Sequence, residues 1–117
     1  MFAAYVIITG AMILASAWAT AADLARPRWL LVNMAEVGVP RSWLPPLAAA
    51  KGAGAAGLLL GLLGLRPLGI AAAAGLALFF TGAIAAHVRV RAFHNIAFPA
   101  AYWALGTASA ILAVAAR

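Results

Sequence analysis

LAAAKGAGAAGLLLGLLG (residues 47–64), a break at Leu65, Arg66 and Pro67, and LGIAAAAGLALFFTGAIAAHVRVR (residues 68–91) decide how this chain folds. Each run is close to the roughly 20 residues that cross a hydrocarbon core. The break between them is too short for anything but a tight turn, so the two runs are expected to fold as an antiparallel hairpin of membrane spans.

Composition agrees with that reading. Of 117 residues, 68% are hydrophobic and 9% charged, against about a quarter charged in soluble domains. Mean hydropathy is +1.07, so lipid or another helix must surround most side chains. The net charge of +6 does not indicate nucleic acid, because the basic residues flank apolar runs and form no stripe with interleaved aromatics. The absence of cysteine excludes disulfides, thiolate metal sites and thiol redox relays of the chain's own.

Working outward, residues 2–22 read as a first span. They end in small residues suited to cleavage but lack a basic n-region, so a retained helix is expected in place of a signal peptide. Residues 23–46, DLARPRWLLVNMAEVGVPRSWLPP, are too apolar for a free loop and too interrupted to span. Pro27 suits a helix start, and Gly38 followed by Pro40 suits its end. A short helix at the membrane surface is expected there. Residues 96–115 form the last span, with Pro99 in its first turn. The expected fold is therefore all-α: one domain over residues 1–117, an integral membrane four-helix bundle with spans at about 2–22, 47–64, 68–87 and 96–115, and a short interfacial helix between the first two.

Gly54, Gly57 and Gly61 in the second span, Gly75 and Gly82 in the third and Gly106 in the fourth are expected to line packing faces. In lipid, small residues let helices approach closely and gain dispersion contacts. Gly57 and Gly61 form a GxxxG pair whose first use is packing within the chain, with self-association as the alternative.

Four spans put Arg26, Arg28, Arg41, Lys51, Arg89 and Arg91 on one side and Arg66 and Arg117 on the other. That bias expects the richer side to be cytoplasmic and the termini outside. The same end collects most of the chemistry. Lys51 lies near the positive end of its helix dipole, where a cation is disfavoured, and a buried lysine needs relief. It either snorkels to the interface or pairs with Glu36, an anionic head group or a substrate. His87 tolerates the interface because it can be neutral; it either bonds a neighbouring carbonyl or moves a proton. Arg89 and Arg91 are expected to meet lipid phosphates. His87 and His94 flank a turn without a third ligand, so no metal site is expected. No catalytic triad, carboxylate dyad or phosphate loop is present.

The segments VGVPRSWLPPLAAAKGAGAAGLLLGL, PLGIAAAAGLALFFTGAIAAHVRVR and NIAFPAAYWAL, together with Lys51 and its following glycines and His87 with its basic turn, resemble the DoxX-like family of small bacterial four-span membrane proteins. Some relatives in that family are subunits of thiosulfate:quinone oxidoreductases or other membrane redox complexes. The resemblance implies a bacterial inner-membrane subunit with a quinone or lipid contact near Lys51 and His87 and with partner membrane or redox proteins. Three readings stay open. The first is an accessory or anchoring subunit. The second is a small membrane enzyme that uses His87 as acid/base and Lys51 as electrostatic stabiliser on a lipophilic substrate, which requires a pocket between the spans. The third is a self-assembled pore or transporter, which would need a polar path that these spans lack.

Overall fold

The computed structural model describes residues 1–116; Arg117, and with it part of the charge bias, lies outside the described residues. The described residues are helical and contain no strand. Five helices follow in order: α1 (Phe2–Ala25), α2 (Arg28–Glu36), α3 (Leu44–Leu62), α4 (Arg66–Arg89) and α5 (Ala97–Ala115), with single 3-10 turns at Arg41–Trp43 and Phe93–Asn95. α1, α4 and α5 are long and apolar enough to cross a membrane. Pro45, Pro46, Lys51 and its glycines dilute the hydropathy of α3, which nevertheless packs between α1 and α4. α5 closes the arrangement against α4 and α1, giving a rod of 41 × 24 × 17 Å.

The chain is inside-out relative to a soluble protein. Leu14, Leu78 and Phe98 point away from the other helices. Tyr5, Thr9, Met12, Ser16, Ala19 and Asp23 form the buried stripe of α1, spaced alternately four and three residues apart. On that stripe Thr9 finds a partner across helices, its Oγ1 lying 2.6 Å from Ser109 Oγ, while the Tyr5 and Ser16 hydroxyls are buried without one; beside the stripe, Tyr102 Oη donates to the Ala15 carbonyl at 2.8 Å. Polar groups belong inside here because lipid offers them nothing to bond. Below the end that α2 covers as a cap, Met12, Leu58, Ala73, Leu76 and Phe80 fill the interior.

The hairpin between α3 and α4 is made by glycine. Gly64 follows α3 with φ of 127°, and Leu65 N–H returns to the Leu60 carbonyl at 3.0 Å while Gly64 N–H reaches Gly61. This is the Schellman closure that a left-handed residue permits. Gly38 ends α2 in the same way, with φ of 77° and Val39 N–H bonded to the Met34 carbonyl at 2.8 Å. α4 ends alike, but with Arg91 in the left-handed position.

The packing faces differ from the expected ones by a rotation of α4. A Cβ on Gly61 would lie 2.5 Å from the Gly69 Cα, one on Gly57 would lie 2.7 Å from the Ala72 Cβ, and one on Gly54 would meet Leu76. A Cβ on Gly106 would lie 3.4 Å from the Ala77 backbone nitrogen. Gly75 and Gly82, by contrast, have no neighbour within 4 Å of a built Cβ. The face of α4 turned to α3 carries Gly69, Ala72 and Leu76, so Gly75 falls on the outward side. Gly69 was not singled out by spacing, because its partner is Gly61 and not another glycine of its own helix.

At the end opposite the cap, Arg66 donates to the Ala113 carbonyl at 3.0 Å and lies 4.3 Å over the Tyr5 ring. It satisfies a carbonyl near the C-terminus of α5, where a cation is also favoured by the dipole. Arg66→Met is expected to cost about 1.5–3 kcal/mol, the scale of a charge-assisted hydrogen bond, read as a lowered midpoint in detergent unfolding.

Candidate functional site

The functional end is where α1 and α4 finish and α3 and α5 begin, with α2 laid across. α1 runs past the expected boundary to Ala25. That extension matters because it turns Asp23 inward as the last member of the buried stripe. α3 begins at Leu44, so Lys51 sits two turns in and not at the rim. Lys51 Nζ donates to Asp23 Oδ2 at 2.9 Å, with side chains only 14% and 4% exposed. The ammonium also lies 5.6 Å from the centre of the Phe79 ring, a cation–π contact.

Lys51 therefore pairs with Asp23 and not with Glu36. Glu36 reaches His94 instead, at 3.2 Å and on the outside of the cap, where an exposed polar contact contributes little. Only two acidic residues exist in the chain. The inward one takes the buried lysine because its helix, rigid and packed on α3, presents it there; Glu36 ends a short helix that stands off from the bundle.

α2 makes few close backbone approaches to the long helices and is held by side chains. Trp29 stacks on Trp18 of α1, with centroids 5.8 Å apart and planes within 10°. Asn95 Nδ2 donates to Asn33 Oδ1 at 2.8 Å. Met34 is buried, and the Arg89 guanidinium lies over Gly38, 3.5 Å from where a Cβ would stand. Trp29→Ala removes the stack and its buried area, worth about 1–1.5 kcal/mol. The expected result is roughly tenfold faster amide exchange in α2, with α3 and α4 unchanged.

Between this cap and the bundle is a cavity of about 490 Å³, within the range of small-molecule sites. Phe79, Phe80 and Tyr102 form its inner wall, and Trp18, Trp29 and Trp43, each about half exposed, its rim. Its polar groups are few: Asp23, Lys51, Asn33, Asn95, His87 and the Tyr102 hydroxyl. Gly82, expected in a packing face, lines it. Arg89 and Arg91 are exposed and do not line it.

His87 Nδ1 lies 2.8 Å from the Ala83 carbonyl. A carbonyl only accepts, so Nδ1 carries the proton of this bond and Nε2 is left facing other partners. Lys51 and His87 share the cavity. Phe79, which Lys51 approaches, precedes His87 by eight residues of α4, about 12 Å of backbone at 1.5 Å per residue, and the His87 ring turns back toward it to reach Ala83. Among the described residues no group of three or more His, Asp or Glu could hold a metal ion.

Asp23, Asn33, Asn95 and Tyr102 were not singled out by the sequence. The signal for Asp23 was available in the spacing from Thr9 and Ser16, each seven residues from the next. The asparagines lie in short segments without periodicity and gave none.

Long apolar helices with an inward-facing ion pair under a capped cavity define a multi-pass helical membrane protein. The family model described as the DoxX-like family matches residues 7–109, and the chain belongs to that family. No curated protein and no solved structure matches it.

Proposed function

We propose that this protein is an accessory or anchoring subunit of a bacterial membrane redox complex that holds a ring-bearing lipophile of the quinone class in the capped cavity. The observation that carries the reading is the cavity itself: about 490 Å³, walled by aromatic side chains, with one buried ion pair at depth. Aromatic walls suit a flat ring, and a sparse polar set orients it. In this reading α3 is a fourth span, α2 is an interfacial helix over a four-helix bundle, and the cap faces the cytoplasm of the inner membrane because the basic residues gather there. Lys51 binds the head of the ligand and His87 its outer edge. Glu36, Arg89 and Arg91 act outside the cavity, the arginines on lipid phosphates.

The same cavity meets the requirement of a small membrane enzyme acting on a lipophilic substrate. His87 is bonded to the Ala83 carbonyl and Lys51 to Asp23, an arrangement that does not bring the two together on one bond. A pore draws no support from an interior filled by Met12, Leu58 and Phe80.

Native mass spectrometry of the protein extracted with its own lipids tests the proposal. The expected spectrum contains a retained small lipophile, a co-purifying membrane or redox protein, or both. A bare chain with neither, alone or self-associated, contradicts it.

A further inference from the structure

Resting on the cavity as a ligand site, the chemistry of its floor narrows what can enter. Lys51 carries three N–H donors, of which one goes to Asp23 at 2.9 Å. Asp23 accepts that bond at Oδ2, and among the described residues Oδ1 accepts none. The pair therefore presents a donor and an acceptor side by side, and its two charges cancel.

We propose that the ligand's head is an uncharged group that both donates and accepts a hydrogen bond, typified by a phenolic hydroxyl, seated on the Lys51–Asp23 pair. An anionic head would gain Lys51 but meet the Asp23 carboxylate at contact distance; a cationic head meets the converse. Neither repulsion is screened where both partners are almost wholly buried. A ketone or ether accepts from Lys51 yet covers Asp23 Oδ1 without giving it a hydrogen bond, which is penalised. A hydroxyl satisfies both partners.

The pair also sets the orientation. It lies beside Phe79 of the inner wall, with Trp18, Trp29 and Trp43 at the rim, so the polar head enters first and the apolar body rests between Phe79 and the rim tryptophans. Bilayer phospholipids hold their heads at the interface and are excluded by this inversion.

The test uses the unaltered chain in lipid discs, so it does not depend on a variant folding. The indole resonance of Trp29 is followed while para-nonylphenol, its methyl ether, para-nonylbenzoate and para-nonylbenzyl(trimethyl)ammonium are added in turn. The phenol is expected to shift the resonance saturably with a Kd about tenfold or more below that of the ether, and neither ion is expected to saturate it. Equal binding of phenol and ether overturns the role of the pair while leaving the cavity as a ligand site. Tighter binding of either ion also overturns it. No saturation by any of the four overturns both this assignment and the ligand site.

Discussion

Replacing Lys51 with methionine is expected to destabilise the protein by about 3–5 kcal/mol, the scale of leaving one partner of a buried ion pair uncompensated. Asp23 would then stand as a carboxylate 3% exposed, surrounded by helices and lipid, and must either take up a proton or pull its helix toward the interface. Asp23→Leu should cost a similar amount through a stranded ammonium, eased by the length of the lysine stem, which can snorkel. The Asp23→Leu, Lys51→Met double variant removes both charges and should recover most of the loss, since well-packed apolar replacements of buried pairs are often neutral or better. The coupling is read from unfolding midpoints of all four proteins in one detergent. Additive losses would mean that the two charges do not depend on each other. A recovered double variant that no longer binds a lipophile separates the pair's role in function from its role in folding.

Gly61→Leu is expected to cost about 2–3 kcal/mol or to separate α3 from α4 outright. The new Cβ would stand 2.5 Å from the Gly69 Cα, and a backbone atom cannot rotate away as a side chain can. Overpacking a close contact costs on this scale even where side chains absorb part of it. Gly75→Leu provides the control: nothing lies within 4 Å of its Cβ, and a lipid-facing position that gains an apolar side chain should change stability by about 0.5 kcal/mol or less. Unfolding of both variants under identical conditions gives the comparison, and equal losses would show that α3 and α4 do not meet at Gly61 and Gly69.

These two positions show what was legible in the residues alone and what was not. The hairpin, the cap and the gathering of polar residues at one end follow from run length, breaker residues and chain direction, all local properties. The importance of Gly57 and Gly61 follows from spacing. Which face of α4 receives them does not, because alanine and glycine occur all round that helix and its periodicity is nearly featureless. Gly75 and Gly69 are indistinguishable in sequence, and only the rotation of α4 against α3 tells them apart.

The site divides along the same line. Lys51 and His87 stand out as ionisable residues in apolar runs, and both line the cavity. Asp23 was hidden by a boundary drawn at Ala22: three further residues of helix carry it from an assumed loop to the inner face. The partner of a buried charge is set by which rigid element presents it, and so Glu36, equally close by topology, goes to His94. The cavity is invisible in sequence because it exists where α2 fails to pack down, held off by Trp18 against Trp29 and by Asn33 against Asn95.

The central claim is that the space under α2 holds a ring-bearing lipophile. The four tryptophans provide a direct measurement, since Trp18, Trp29 and Trp43 line the cavity and Trp103 does not. Indole resonances of the labelled protein in lipid discs are followed as a short-chain benzoquinone and, separately, its quinol are added. Saturable shifts at Trp18, Trp29 and Trp43, with Trp103 unmoved and the quinol binding more tightly than the quinone, are the predicted result. Shifts that grow without saturation at all four indoles, as partition into the surrounding bilayer would produce, would contradict it.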